Sequence, residues 1–164
     1  MKQTYREGAV FLVPLRDGGF ARGVVARTPL RARKILLGYF FGPRLISREA
    51  ASFAQLAARD AILFARCGDL RPIDGSWPVL GGHPSWNRSD WPFPDFVRRD
   101  PLTSRAYLVR YLDTDPRKIE FERPIDPDCD LPRDGLWGSG AVELILTKLL
   151  AASRPDGGRA TDLS

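Results

Sequence analysis

An α+β fold is predicted, built on a bent antiparallel β-sheet or partial barrel of five to seven strands, with one inserted helix and a C-terminal helix. Three observations predict it. The segment GAVFLVPLRDGGFARGVVAR, residues 8–27, sets two apolar runs around Arg16-Asp17-Gly18-Gly19, and Asp-Gly and Gly-Gly supply the positive-φ positions of a tight hairpin. Further short runs (KILLGYFF, ILFARC, AYLVRYL, KIEFER) carry the branched and aromatic residues that favour strands. Helical apolar spacing occurs in only two places, after Ser47 and after Ser139.

The elements follow in chain order. After the hairpin, a charged connection over 28–33 leads to a third strand, Lys34 to Phe41, closed by Gly42-Pro43. Short connections between the three predict a strongly bent meander in which Gly23 and Gly38 mark bulges or close approaches. Ser47 is a good N-cap for a helix, with Glu49 in its first turn and Ala50, Phe53, Ala54 and Ala57 on a narrow apolar stripe beside Leu56. Ile62 to Cys67 reads as a short strand. Residues 68–101 hold six prolines and four glycines, which forbid long ladders or helices; one short edge strand over Ser76 to Leu80 is compatible with Pro78. Trp77, Trp86, Trp91, Phe93 and Phe96 make this stretch an aromatic lid for the sheet, because each aromatic ring buries roughly 150–250 Å². Ala106 to Leu112 and Lys118 to Arg123 form another strand pair, the second alternating with Ile119 and Phe121 on one face. Val142, Ile145, Leu146, Leu149 and Leu150 then make the wide stripe of a C-terminal helix that covers the sheet. One domain over residues 1–152 and a flexible tail over 153–164 are expected.

Composition narrows the function. With 43% apolar and 10% aromatic residues in 164, the chain is globular. No apolar run reaches the roughly 20 residues of a membrane helix, and residues 1–8 lack the pattern of an export signal. A cytoplasmic protein with reduced thiols at Cys67 and Cys129 is expected. The net charge is +5, but residues 1–46 hold nine Lys/Arg and two Asp/Glu, whereas residues 113–134 hold eight acidic and four basic residues. Such asymmetry either steers an acidic partner to one face or is ordinary solvated charge.

No catalytic pattern stands out. The sole histidine, His83, lies in a Gly-Gly-His-Pro loop, and a Cys-His hydrolase using Cys67 or Cys129 is compatible with the spacing but carries no oxyanion signature. One His and two distant Cys do not make a zinc site. Asp126, Asp128 and Asp130 alternate like oxygen ligands but lack the glycine and glutamate of a calcium loop. No cofactor or metal is expected. Nucleic-acid binding is the leading alternative function: Arg22, Arg27, Arg31, Arg33 and Lys34 on a β-meander form a candidate phosphate track, although no RRM signature accompanies them.

Phe11, Pro14, Leu15, Asp17, Gly18, Phe20, Gly23 and Val25, with Gly75, Trp77, Pro94 and Phe96 further on, follow a recognisable order. A hydrophobic-Pro-Leu strand is followed by an acidic-Gly turn, an aromatic and a Gly-Val strand, then by a Gly-x-Trp strand and a Pro-x-Phe element. Over roughly residues 8–125 this resembles the bacterial immunity protein 26 family. The resemblance implies a non-enzymatic immunity protein whose partner is the cognate toxin of a polymorphic or contact-dependent system. The matched residues are expected to build the fold. Contacts to a partner then fall to exposed neighbours of the types that dominate interfaces: Trp86, Trp91, Arg98 and Arg99 on the insert, and Arg22 and Arg33 on the hairpin face.

Overall fold

The opening hairpin forms as its sequence demands in a computed structural model that describes residues 4–31, 34–53 and 55–152. Strands β1 (Ala9–Pro14) and β2 (Phe20–Arg27) pair antiparallel, and Gly18 and Gly19 take φ of 104° and 74° in the turn. Gly23 faces Phe11 across this ladder. A Cβ on Gly23 would lie 2.3 Å from the Phe11 ring, so the position admits only glycine while that ring stays in place.

Strand β3 (Ile35–Leu45) continues the meander and β4 (Leu63–Gly68) follows it. Between them no α-helix forms among the described residues, and Ala54 lies outside these. The expected helix after Ser47 is replaced by single 3-10 turns at Arg48–Ala50 and Ala58–Asp60, flanked by extended residues such as Ala51 and Ala57. The physical reason is the narrow stripe: alanines bury too little surface to offset helix nucleation. Instead Leu56 and Phe53 reach the core from an irregular segment in which Leu56 N–H donates to Phe53 O. A five-residue helix, α1 (Leu70–Asp74), appears later and ends at Gly75 in the left-handed region.

The chain then gives β5 (Val79–Gly82), β6 (Phe96–Arg99), β7 (Ala106–Leu112), β8 (Asp115–Ile125), β9 (Leu136–Trp137) and α2 (Ser139–Ala152). The strands divide between an open six-stranded sheet, ordered β5-β1-β2-β3-β4-β9, and a three-stranded sheet, β6-β7-β8. Only the short β4–β9 pair is parallel. The α+β class holds, with the strands in two sheets and no closed barrel. Residues 153–164, expected to be a tail, lie outside the described residues.

Alternation along the first three strands explains why they are apolar on both faces. Phe11, Val13, Val25 and Phe40 join Trp77 and the α2 residues Val142, Leu146 and Leu150 in one core. Val10, Val24, Leu37, Tyr39 and Phe41 point the other way, into a second core with Phe96, Val109 and Tyr111 of the three-stranded sheet and Trp91 of the insert. The six-stranded sheet is therefore the middle of three layers. The expectations that α2 covers the sheet and that the aromatic insert packs on it both hold.

Candidate partner-binding surface

The three-stranded sheet is tied to the middle layer by arginines. Arg27, 3% exposed at the end of β2, donates from Nε to Asp113 Oδ1 at 2.9 Å in the β7–β8 turn. Arg88 holds the same carboxylate and also donates from Nε to Glu7 at 2.9 Å. Burial pushes the Asp113 carboxyl up, but the hydrogen bonds from Arg88 and Arg27 outweigh it and hold it below the usual range. Arg66, on β4, lies 3.8 Å over the Tyr111 ring and donates to Pro116 O at 2.9 Å. Tyr111 donates to Asp134 at 2.6 Å; its hydroxyl is raised above the ordinary phenol range by burial first and by that bond second.

These contacts absorb much of the sequence's charge asymmetry. Arg16 pairs with Glu143 at 3.1 Å, Arg27 with Asp113, and Arg44 with Asp17. Arg22 donates to the carbonyls of Ser52 and Gly42, the latter at 2.8 Å, and so braces β3 and the following loop. Two members of the candidate phosphate track, Arg22 and Arg27, are thus turned inward to protein acceptors. Arg31 and Lys34 are exposed, and Arg33 lies outside the described residues.

The remaining sequence-derived candidates separate clearly. Trp91 is corrected: at 3% exposure it is a core residue, meeting Tyr39, Phe41, His83 and Trp86 at ring distances of 5.2–5.9 Å. The proline-rich stretch folds this indole under the chain instead of displaying it. Trp86 is half-buried against the same cluster. Arg98 and Arg99 are exposed on β6. Arg98 makes a bidentate pair with Glu122 on β8 at 2.9 and 3.3 Å and lies over Tyr107. Arg99 donates to the carbonyls of Pro127 and Cys129, each at 3.0 Å, which pins the acidic loop, and no carboxylate among the described residues pairs with its guanidinium. The two line a cleft of about 200 Å³ with Val97, Arg133 and Asp134.

The family-pattern residues form the frame. Phe11, Val25, Trp77 and Phe96 are buried, and Leu15 nearly so. Trp77 stacks on Phe11 at 5.5 Å and donates from Nε1 to the buried Glu143 at 3.0 Å. Pro14 ends β1 opposite Phe20, Asp17 and Gly18 make the exposed turn, and Pro94 precedes β6.

The Cys67–His83 pairing fails on geometry. Cys67 points into the core beneath α2 and is fully buried; burial, with Asp69 nearby, pushes its thiol up to about 12. His83 packs on Trp91 on the opposite side of the sheet, with Nε2 2.8 Å from Leu56 O and Nδ1 accepting from Ser85 N–H at 3.1 Å. Among the described residues no group of three His, Cys, Asp or Glu is placed to hold a metal ion, and no helix is long and apolar enough to cross a membrane.

A family model described as Immunity protein 26 matches residues 6–108. The chain belongs to the immunity protein 26 family. No curated protein and no solved structure matches it. The family match spans β1 to the start of β7, so it includes five of the six strands of the middle layer, the insert and β6. It stops before β8, the acidic loop, β9 and α2. Arg66, Arg88, Asp113 and Glu122, which organise the second sheet, had no signal in the sequence beyond the complementary charge of its two ends.

Proposed function

We propose that this immunity protein binds a cognate bacterial toxin in the cytoplasm and neutralises it by non-catalytic occlusion. The observation that carries the reading is the family membership together with the way the fold uses its reactive groups. The Cys67 thiol is sealed in the core and the His83 ring is engaged at both nitrogens, while the second sheet extends its charged residues outward. A rigid frame that displays one sheet suits capture through surface complementarity, which needs roughly 800 Å² per partner. Arg98 and Arg99 are the contacts we assign from the original candidates, since both stand exposed on that sheet and no carboxylate among the described residues pairs with Arg99.

Co-expression tests this. The toxin domain encoded by the neighbouring gene should be lethal alone and tolerated with this chain, and the purified pair should co-elute at one to one. Persistent lethality with soluble, folded protein present would reject the reading. Nucleic-acid binding finds less support, because Arg22 and Arg27 already serve protein acceptors.

A further inference from the structure

We infer that the outer edge of β8 is a docking strand: an extended segment of the toxin adds to it as a fourth strand of the small sheet. The inference rests on the immunity reading and specifies where the toxin is held.

Four observations carry it. The opposite edge of this sheet is closed, because Val97 N–H donates to Pro132 O at 2.9 Å and Asp134 N–H donates to Val97 O at 2.8 Å. Among the described residues the β8 edge pairs with no strand other than β7, and every residue from Arg117 to Pro124 is exposed. The other sheet's edges are much shorter, four residues in β5 and two in β9, against eleven in β8. Finally, β8 presents large apolar side chains at the surface, Ile119 at 47% exposure and Phe121 at 37%, the latter with the Arg110 guanidinium 4.8 Å from its ring centre. A sheet edge with unpaired amides and carbonyls is a template for another chain, and paired side chains on it set specificity.

The occupant is defined by charge. Glu122 is held by Arg98, while Glu120, at the bulge between Ile119 and Phe121, is attracted by Arg110 but, like Asp126, Asp128 and Asp130 beyond the strand, has no ion pair among the described residues. The fitting segment carries apolar side chains against Ile119 and Phe121, a lysine or arginine against Glu120, and further cations toward the acidic loop. Its charges run opposite to those of Lys118 and Arg123. A second copy of this chain fits badly. Antiparallel self-pairing centred on Phe121 sets Glu120 against Glu122, and centring on Glu120 sets that carboxylate against itself, and like charges directly opposite one another are destabilising. The edge also lies outside the segment matched by the family model, where differences in partner choice can be written without disturbing the shared frame.

Hydrogen exchange and affinity test the inference, with the toxin domain of the neighbouring gene as probe. In the wild-type complex, amides within 117–124 should exchange at least about tenfold more slowly than in the free protein. The double variant E120K/F121K should weaken binding about tenfold or more, whereas K148E on the outer face of α2 should leave it within twofold. Thermal melting of each variant shows that the frame is intact. Should the edge variant fail to fold, the exchange experiment on wild-type protein decides alone. A wild-type complex that protects other segments and leaves 117–124 unchanged overturns the docking strand while sparing the immunity reading. Absence of any complex with the wild-type chain overturns the immunity reading itself.

Discussion

The six-stranded sheet and the smaller three-stranded sheet are used in opposite ways. In the six-stranded sheet, β1 is buried from Ala9 to Val13 and β3 from Leu36 to Phe41, because a helix covers one face and a second sheet the other. In the three-stranded sheet, β6 and β7 give one face to the core and β8 gives almost nothing. The first sheet is stabilised by apolar area, and its polar groups serve as braces. The second packs Phe96, Val109 and Tyr111 into the shared core, is held at its turn by Arg27, Arg66 and Arg88, and leaves most of β8 exposed. The difference teaches that the framework and the display surface of this protein are separable.

Thiol labelling should expose the contrast most strongly. Cys129 in the acidic loop is half-buried and Cys67 is sealed beneath α2, so native Cys129 should react with a disulfide reagent at least about a thousandfold faster, since Cys67 reacts only through opening of the core. Comparable rates would mean that the middle layer breathes. Next in size is Trp77→Ala, which removes the stack on Phe11 and one hydrogen bond to the buried Glu143. Urea unfolding should show a loss of about 3–5 kcal/mol, against less than about 0.5 kcal/mol for Phe121→Ala on the open edge. Gly23→Val should cost about 1–3 kcal/mol, because the new Cβ is driven into the Phe11 ring.

Much of this contrast was legible in residues. The Asp-Gly-Gly turn, the apolar runs on both sides of it and the Val142/Leu146/Leu150 stripe each gave an element at the right place, since local turn chemistry and periodicity act within a few residues. The doubly apolar strands were a signal of a middle layer. Other features depend on distant partners. The segment from Ser47 to Ala57 satisfied helix rules locally but was claimed by packing of Leu56 and by His83, whose Nε2 meets the Leu56 carbonyl. Strand β6 was hidden by the prolines around it. The alternation of KIEFER placed Ile119 and Phe121 on one face, but the bulge at Glu120 sets Ile119 opposite Tyr111 and turns Phe121 to the other face, 4.8 Å from Arg110. Of the candidate contacts, Arg98 and Arg99 stand on the display surface and Trp91 does not, and no spacing rule distinguishes a displayed indole from one folded under the chain.

The smallest effect concerns pH. Asp95 is held below the usual carboxylate range, chiefly by its hydrogen bonds from Arg110 at 2.8 Å. A depressed folded-state value means that this pair stabilises fully above the unfolded value near 3.8 and loses its contribution as pH falls through the lower folded value. Asp95→Asn should therefore lower stability slightly at neutral pH and leave it nearly unchanged in strong acid, which flattens the acid limb of the stability curve. An unaltered acid limb would show that the second sheet draws nothing from this pair.

Occlusion by a displayed, chemically passive surface is tested most directly by titrating a fixed amount of active toxin domain with this chain and following the toxin's own activity. The account predicts a linear fall that reaches zero at one equivalent, with full activity regained when the complex is dissociated. Complete loss of activity at a few hundredths of an equivalent, or loss that survives separation, would contradict it.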